Sequence, residues 1–208
     1  MPEAPQRLSP LRLEGQHVTL EPLQAEHAAE LWSAGHDALI WRWSPSPITD
    51  EAGMRAYVAE ALAMQSAGTA LPFVTRLRHS GALIGSTRYC AIEPAHKRLE
   101  IGWTWLAPSV QRTPVNTECK FLLLRHAFET LGMNRVELKT DALNDKSRAA
   151  MLRIGCTQEG IFRRHMVTSS GRIRDTVYLS IVREEWPQVS ARLQQMLARP
   201  FSLEAAVS

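Results

Sequence analysis

Four places in this 208-residue chain combine residue types that could do chemistry. In Asn144-Asp-Lys-Ser147 an amide and a hydroxyl stand three residues apart at the start of a helical pattern, so they share one helix face. A serine hydroxyl there can donate a proton, or a hydrogen bond where negative charge develops. A plain helix start, capped by Asn144, uses the same residues. Gln111-Arg-Thr-Pro-Val-Asn116 opens a second helix, whose N-terminus offers unpaired N–H groups and partial positive charge to a phosphate. Arg112 could add a charge-assisted bond. Thr113 is a good N-cap, and Pro114 would then fall at the first helical position, where its missing N–H is no loss. An ordinary capped helix accounts for this stretch equally well. Glu100 and His165 could each take up a proton, although an ion-paired glutamate and a plain strand histidine are the simpler accounts. Trp41, Trp43, Trp103 and Trp105 could wall a pocket and hold a cation against their faces, or fill a core.

The elements that must position these residues are readable from periodicity. His17 to Pro22 alternates as a strand, and Ala25 to Ser33 follows as a helix. Trp41 and Trp43 fall in a segment that Pro45 and Pro47 close off as a loop. Met54, Tyr57, Val58, Ala61 and Leu62 recur at helical spacing up to about Ser66, with Asp50 and Glu51 in the first turn. Leu71–Arg78 and Ala82–Ile92 flank His79-Ser-Gly81 as a hairpin, and Arg98–Leu106 is the next strand. Regular alternation would put Glu100 on one face with Gly102 and Thr104, opposite Ile101, Trp103 and Trp105. A long apolar helix runs from Thr113 to a Gly132 cap, and Arg135–Thr140 is a strand. Asn144–Ile154 is a helix, Thr157–Val167 and Ile173–Val182 are a final hairpin, and Trp186, Val189, Leu193 and Met196 mark a C-terminal helix. The predicted order, βααβββαβαββα, describes one α/β (α+β) domain over residues 11–187, after a loose arm at 1–10 and before a C-terminal helix and tail at 188–208.

Composition narrows the function classes. No apolar run approaches the roughly 20 residues a membrane-spanning helix needs, and the first ten residues lack the apolar core of a secretory signal, which predicts a cytoplasmic protein. Cys90, Cys119 and Cys156 are too far apart for a zinc site or a disulfide scaffold, and no metal is signalled. The 24 basic and 21 acidic residues leave a net charge of +3, too small an excess to demand a nucleic-acid surface. The cluster Arg163, Arg164, Arg172 and Arg174 could still meet a cofactor, an acidic substrate or ribosomal RNA.

The strand Arg98–Leu106 running into Gln111–Asn116 and a long helix resembles the acetyl-CoA loop of the GNAT acetyltransferase superfamily. Asn144-Asp-Lys-Ser147, Leu152-Arg-Ile-Gly155 and Glu159-Gly160 are most similar to its ribosomal-protein N-terminal acetyltransferase branch. The resemblance implies a mixed, mostly antiparallel sheet with helices on both faces, in which the parallel strands Arg98–Leu106 and Arg135–Thr140 splay apart to admit the pantetheine arm. It implies acetyl-CoA as cofactor, held by Trp105, Leu106, Gln111, Arg112, Thr113, Val115, Asn116, Asn144 and Ser147, with no metal. Ser147 would be the general acid, Glu100 a candidate base, a backbone N–H near Trp105 the group that polarises the thioester, and Trp41 and Trp43 part of the acceptor pocket. Transfer would be direct, to a small-molecule or protein N-terminal amine, with a homodimer as the expected assembly and nucleic acid met only through a ribosomal substrate. The usual glycine positions of the loop are taken by Pro114 and Asn116. A non-catalytic acyl-CoA sensor and a ribosome-associated binding module are the alternatives.

Overall fold

The computed structural model describes residues 8–201. Residues 1–7 of the expected N-terminal arm and 202–208 of the tail lie outside the described residues, while Leu8 packs against the core. Strands β1 (Leu13–Glu14), β2 (Val18–Pro22), β3 (Ala70–Leu77), β4 (Leu83–Glu93), β5 (Arg98–Leu106), β6 (Arg135–Asp141), β7 (Thr157–Val167) and β8 (Ile173–Val182) form one sheet in the order β1-β2-β3-β4-β5-β6-β8-β7. Every neighbouring pair is antiparallel except β5–β6, which is parallel.

Alternation along the strands divides the apolar residues between two cores. Phe73, Tyr89, Leu99, Ile101 and Leu106 belong to the larger core, with α4 (Val115–Arg125) and α6 (Trp186–Leu197). Val74, Leu83 and Trp105 point the other way, into a smaller core with α1 (Ala28–Gly35), α2 (Ala38–Trp41) and α3 (Glu51–Ser66). Helix α2 is a single turn, capped by the Asp37 carboxylate, within the stretch expected as loop. Helix α5 (Asp145–Ile154) adds Met151 and Ile154 to the larger core. Helix α6, set apart by the sequence reading, is integral to that core through Trp186, Val189 and Leu193. The long apolar helix changes pitch: after Arg125 it continues as a π turn, His126–Thr130, before Gly132 ends it at φ +66°.

One buried carboxylate fixes α4 on the sheet. Glu118, 4% exposed, accepts hydrogen bonds from the backbone N–H groups of Gln16, His17 and Val18 at 2.6, 2.7 and 2.8 Å. A side chain at Gly15 would run into this carboxylate, so a glycine is needed there. Glu118→Gln, nearly isosteric, turns one accepting oxygen into an N–H₂ donor facing other donors. It is expected to lower stability by about 1–3 kcal/mol, read as a lower urea midpoint with an unchanged slope.

Candidate active site

The sheet opens where its two parallel strands part. β5 and β6 pair only at Arg98↔Arg135, Leu99↔Val136 and Glu100↔Glu137. Beyond that point β5 stays with β4 and β6 with β8, so a gap widens between Ile101–Leu106 and Leu138–Asp141. The Ala107 N–H donates to the Ile84 carbonyl at 2.7 Å, and ladder alternation therefore turns the Leu106 N–H and C=O toward the gap. The Leu106 carbonyl is taken by Gln111 Nε2 at 2.9 Å, and Gln111 Oε1 accepts from Lys146 Nζ. Gln111 thus ties the end of β5 to the first turn of α5 across the mouth of the gap. By the same alternation the Trp105 N–H is used in the β4 ladder, so the free amide near Trp105 is that of Leu106.

The start of α4 borders this mouth. Arg112 is exposed and has a left-handed φ of +63°, a conformation that usually calls for glycine. The Thr113 hydroxyl donates to the Val110 carbonyl at 2.6 Å and accepts the Val115 N–H at 3.3 Å. Pro114 already has helical angles but stands just outside α4, so the helix begins at Val115, one residue later than the sequence suggests. Val115 is 0% exposed and its N–H is engaged, which removes it from the expected cofactor set as a side chain. The amides of Asn116 and Thr117 have no intrahelical acceptor.

Across the mouth, Asn144 caps α5, its Oδ1 accepting the Ser147 N–H at 3.1 Å. Asn144 and Ser147 are half-buried, and the Ser147 hydroxyl has no hydrogen-bond partner among the described residues. The structure thus brings together Leu106, Gln111, Arg112, Thr113, Asn116, Asn144 and Ser147.

Glu100 lies at the apex of the gap on the face opposite α4. It is 4% exposed and paired with Lys139 Nζ at 2.8 Å. Burial opposes the Lys139 charge, but Glu100 outweighs it and raises the lysine pKa. A Cβ on Gly102 would stand 2.6 Å from Glu100 Oε1, so the missing side chain makes room for the carboxylate. Strand β5 then departs from the expected alternation. Gly102 is opposite Arg88 and Trp105 opposite Ser86, leaving Trp103 and Thr104 against Thr87 alone, with Trp103 at φ +54°. This bulge turns Thr104 away from the face of Glu100, so that its hydroxyl meets Lys120 Nζ of α4 at 2.9 Å and Thr87 Oγ1 at 2.7 Å.

The tryptophans divide. Trp105 is 6% exposed in the smaller core, 5.3 Å from Trp41 ring to ring, and its Nε1 is buried without a partner among the described residues. Trp41, also 6% exposed, donates from Nε1 to the Gly35 carbonyl at 2.7 Å. Both are core residues, contrary to the cofactor and acceptor contacts expected of them; Trp41 keeps one edge on a pocket of about 160 Å³ shared with Arg42, Pro47, Thr168 and Arg172. Trp43 is half-buried between the guanidinium groups of Arg42 and Arg172, at 5.1 and 5.6 Å. His165 lies beside Tyr178 and Phe162, its Nδ1 3.1 Å from Thr176 Oγ1. The basic cluster splits: Arg172 pairs with the buried Asp141 and Arg174 is 6% exposed, which leaves only Arg163 and Arg164 outward.

Lys120 escaped the sequence reading, although a lysine inside Cys119-Lys-Phe-Leu-Leu-Leu124 breaks an otherwise apolar run. Burial pushes its pKa down to about 8, with Cys119, Cys156, Cys90 and Glu100 pulling weakly the other way. Burial likewise raises the thiols of Cys90, Cys119 and Cys156 to about 12.

The chain is similar in sequence and fold to known proteins. The acetyltransferase (GNAT) domain family matches residues 17–157. The chain belongs to this family. A Brucella melitensis GCN5-related N-acetyltransferase superposes with a TM-score of 0.86 at 30% identity, over 97% of this chain and 96% of that one. Mycobacterium smegmatis RimJ, crystallised with CoA-disulfide, gives 0.75 at 25% identity over 92% and 95%. Bacillus subtilis (strain 168) YdaF, named provisionally for ribosomal N-acetylation, is 33% identical over 110 residues, 53% of this chain and 59% of its own length.

The lowered Lys120 pKa fixes the sign of a pH effect. The lysine of the unfolded chain titrates near 10.4, so between about pH 8 and that value the unfolded chain binds more protons and stability rises with pH. Relative to Lys120→Met, the wild-type unfolding free energy is expected to gain about 3 kcal/mol across that window. Parallel curves for the two proteins in denaturant titrations from pH 7 to 10.5 would refute it.

Proposed function

We propose that the protein is an acetyl-CoA-dependent N-acetyltransferase that moves an acetyl group directly to a primary amine. The observation that carries this reading is the gap between β5 and β6, bordered on one side by the starts of α4 and α5 and on the other by Glu100. Acetyl-CoA, when bound, supplies the acetyl group as a thioester. The α4 mouth fits its diphosphate: the amides of Asn116 and Thr117 are free of intrahelical acceptors, Arg112 is exposed beside them, and Pro114 lacks an N–H where a helix has no use for one.

The Leu106 N–H, turned into the gap, is placed to polarise a carbonyl. Ser147, whose hydroxyl is uncommitted, donates to a departing sulfur, while Asn144 holds that first turn rigid as its cap. Glu100 acts on the amine side. Held by Lys139 at 2.8 Å, it suits the role of a weak base serving an amine that is already partly neutral near pH 7, such as an N-terminal α-amine near 7.7 to 8.0. YdaF, named provisionally for ribosomal N-acetylation, supports a protein amine as one such acceptor. A covalent acyl-enzyme on cysteine is disfavoured, since all three thiols are buried and held protonated.

Calorimetric titration with acetyl-CoA, followed by steady-state transfer to a peptide N-terminus, tests this. Micromolar binding and turnover are expected, with Ser147→Ala lowering kcat about 10²-fold while cofactor affinity stays within about threefold. Binding without turnover on any amine would favour the sensor reading, and unchanged kcat in Ser147→Ala would remove the proton-donor role.

A further inference from the structure

Arg88, in the middle of β4, is 0% exposed, and no carboxylate pairs with it among the described residues. Its guanidinium lies 4.8 Å from the Tyr57 ring centroid and 4.2 Å from that of Trp103. Among the described residues Nη1 reaches only the Met64 sulfur, at 3.4 Å, and Nε and Nη2 are buried with no partner. Arginine cannot shed its proton in a protein, and an uncompensated buried charge is strongly destabilising. Two aromatic faces offset part of that cost but leave the fork of donors unmet. Such an unmet fork is complementary to an anion.

The position says which anion. Arg88 is in register with Gly102, and Cys90, two residues along, is in register with Glu100. Arg88 therefore shares the Glu100 face and stands about 7 Å along the strand direction from it, one strand away from the opening and on the side away from the α4 mouth. The place a Gly102 side chain would take is filled by the Glu100 carboxylate and the Cys90 sulfur, so Glu100 itself lies on the path between the two sites. The cover over the guanidinium is Trp103, 44% exposed and held at φ +54° by the bulge, with Tyr57 Oη donating to its carbonyl at 3.4 Å.

We propose that Arg88 is the specificity residue for the acceptor. It binds a carboxylate carried by the acceptor within about 7 Å of the reacting nitrogen, with Trp103 swinging aside to admit it and then closing over it. This rests on the acetyltransferase reading and narrows its substrate to amines that bear a carboxylate, whether a small amino acid or the acidic first residue of a peptide.

Two matched pairs test it: 4-aminobutyrate against its amide, and a peptide beginning with Glu against the same peptide beginning with Gln. The wild-type enzyme is expected to prefer the carboxylate member of at least one pair by about 10²-fold in kcat/KM. Which pair shows it identifies the source of the carboxylate. In Arg88→Met, which replaces the buried charge with an apolar chain, the ratio within that pair is expected to fall to near one through KM. Calorimetric binding of the same compounds to the wild type, with and without acetyl-CoA, keeps the test independent of turnover and of the folding of the variant. Equal kcat/KM and equal binding within both pairs would overturn the assignment even while transfer to amines proceeds. Selective carboxylate binding with no transfer to any amine would uphold the Arg88 site and sink the transferase reading instead.

Discussion

Two neighbouring strands that have begun to hydrogen-bond ordinarily continue, because each buried amide left without a partner costs on the order of 1–3 kcal/mol. β5 and β6 stop after three register pairs. Each remains in the sheet only through its other neighbour, and the groups exposed along the gap must be met otherwise. Gln111 meets the Leu106 carbonyl, and the Thr104 hydroxyl is met by Lys120 and Thr87. The opening is held by a few side-chain bonds from α4, from the loop before it and from α5, which is why the anchoring of α4 through Glu118 matters to a site one helix turn away.

The two sides of the gap have opposite electrostatic characters. The α4 and α5 side offers backbone donors and a half-buried hydroxyl, suited to a phosphate-bearing, sulfur-bearing substrate. The other side holds buried charged groups, Glu100 with Lys139 and Arg88 without any acid, which suit a zwitterionic partner. Under the proposed function, binding groups for donor and acceptor are segregated by the sheet, with the strand gap as the passage between them.

Much of the frame is legible in the residues themselves. The final hairpin occupies Thr157–Val167 and Ile173–Val182, as alternation suggests, because Ser169-Ser-Gly171 punctuates it unambiguously. Asn144 and Ser147 are readable for a local reason, since a cap and its first turn are set by neighbours in sequence. The tertiary charges are not readable in this way. Glu118 looks like a residue complementing the helix dipole until the β1–β2 turn arrives beneath it, and Arg88 looks like an outward strand position until α3 covers it. The bulge in β5 is hidden as well, because its left-handed residue is a tryptophan and not the glycine that would announce it. Trp41 and Trp105 follow from the same difficulty: aromatic residues near a site serve as readily for its foundation as for its wall.

The bulge makes β5 a strand of two phases. Ile101 and Leu106 are five residues apart, an odd spacing that should put them on opposite faces, yet both enter the larger core, while Trp105 enters the smaller one. One inserted residue resets the count between the half of the strand that pairs with β6 and the half that lines the gap. Substitutions in the two halves can therefore vary independently, whereas loss of that single residue would exchange Trp105 and Leu106 between cores. Length, more than side-chain identity, is what this stretch of the chain has to preserve.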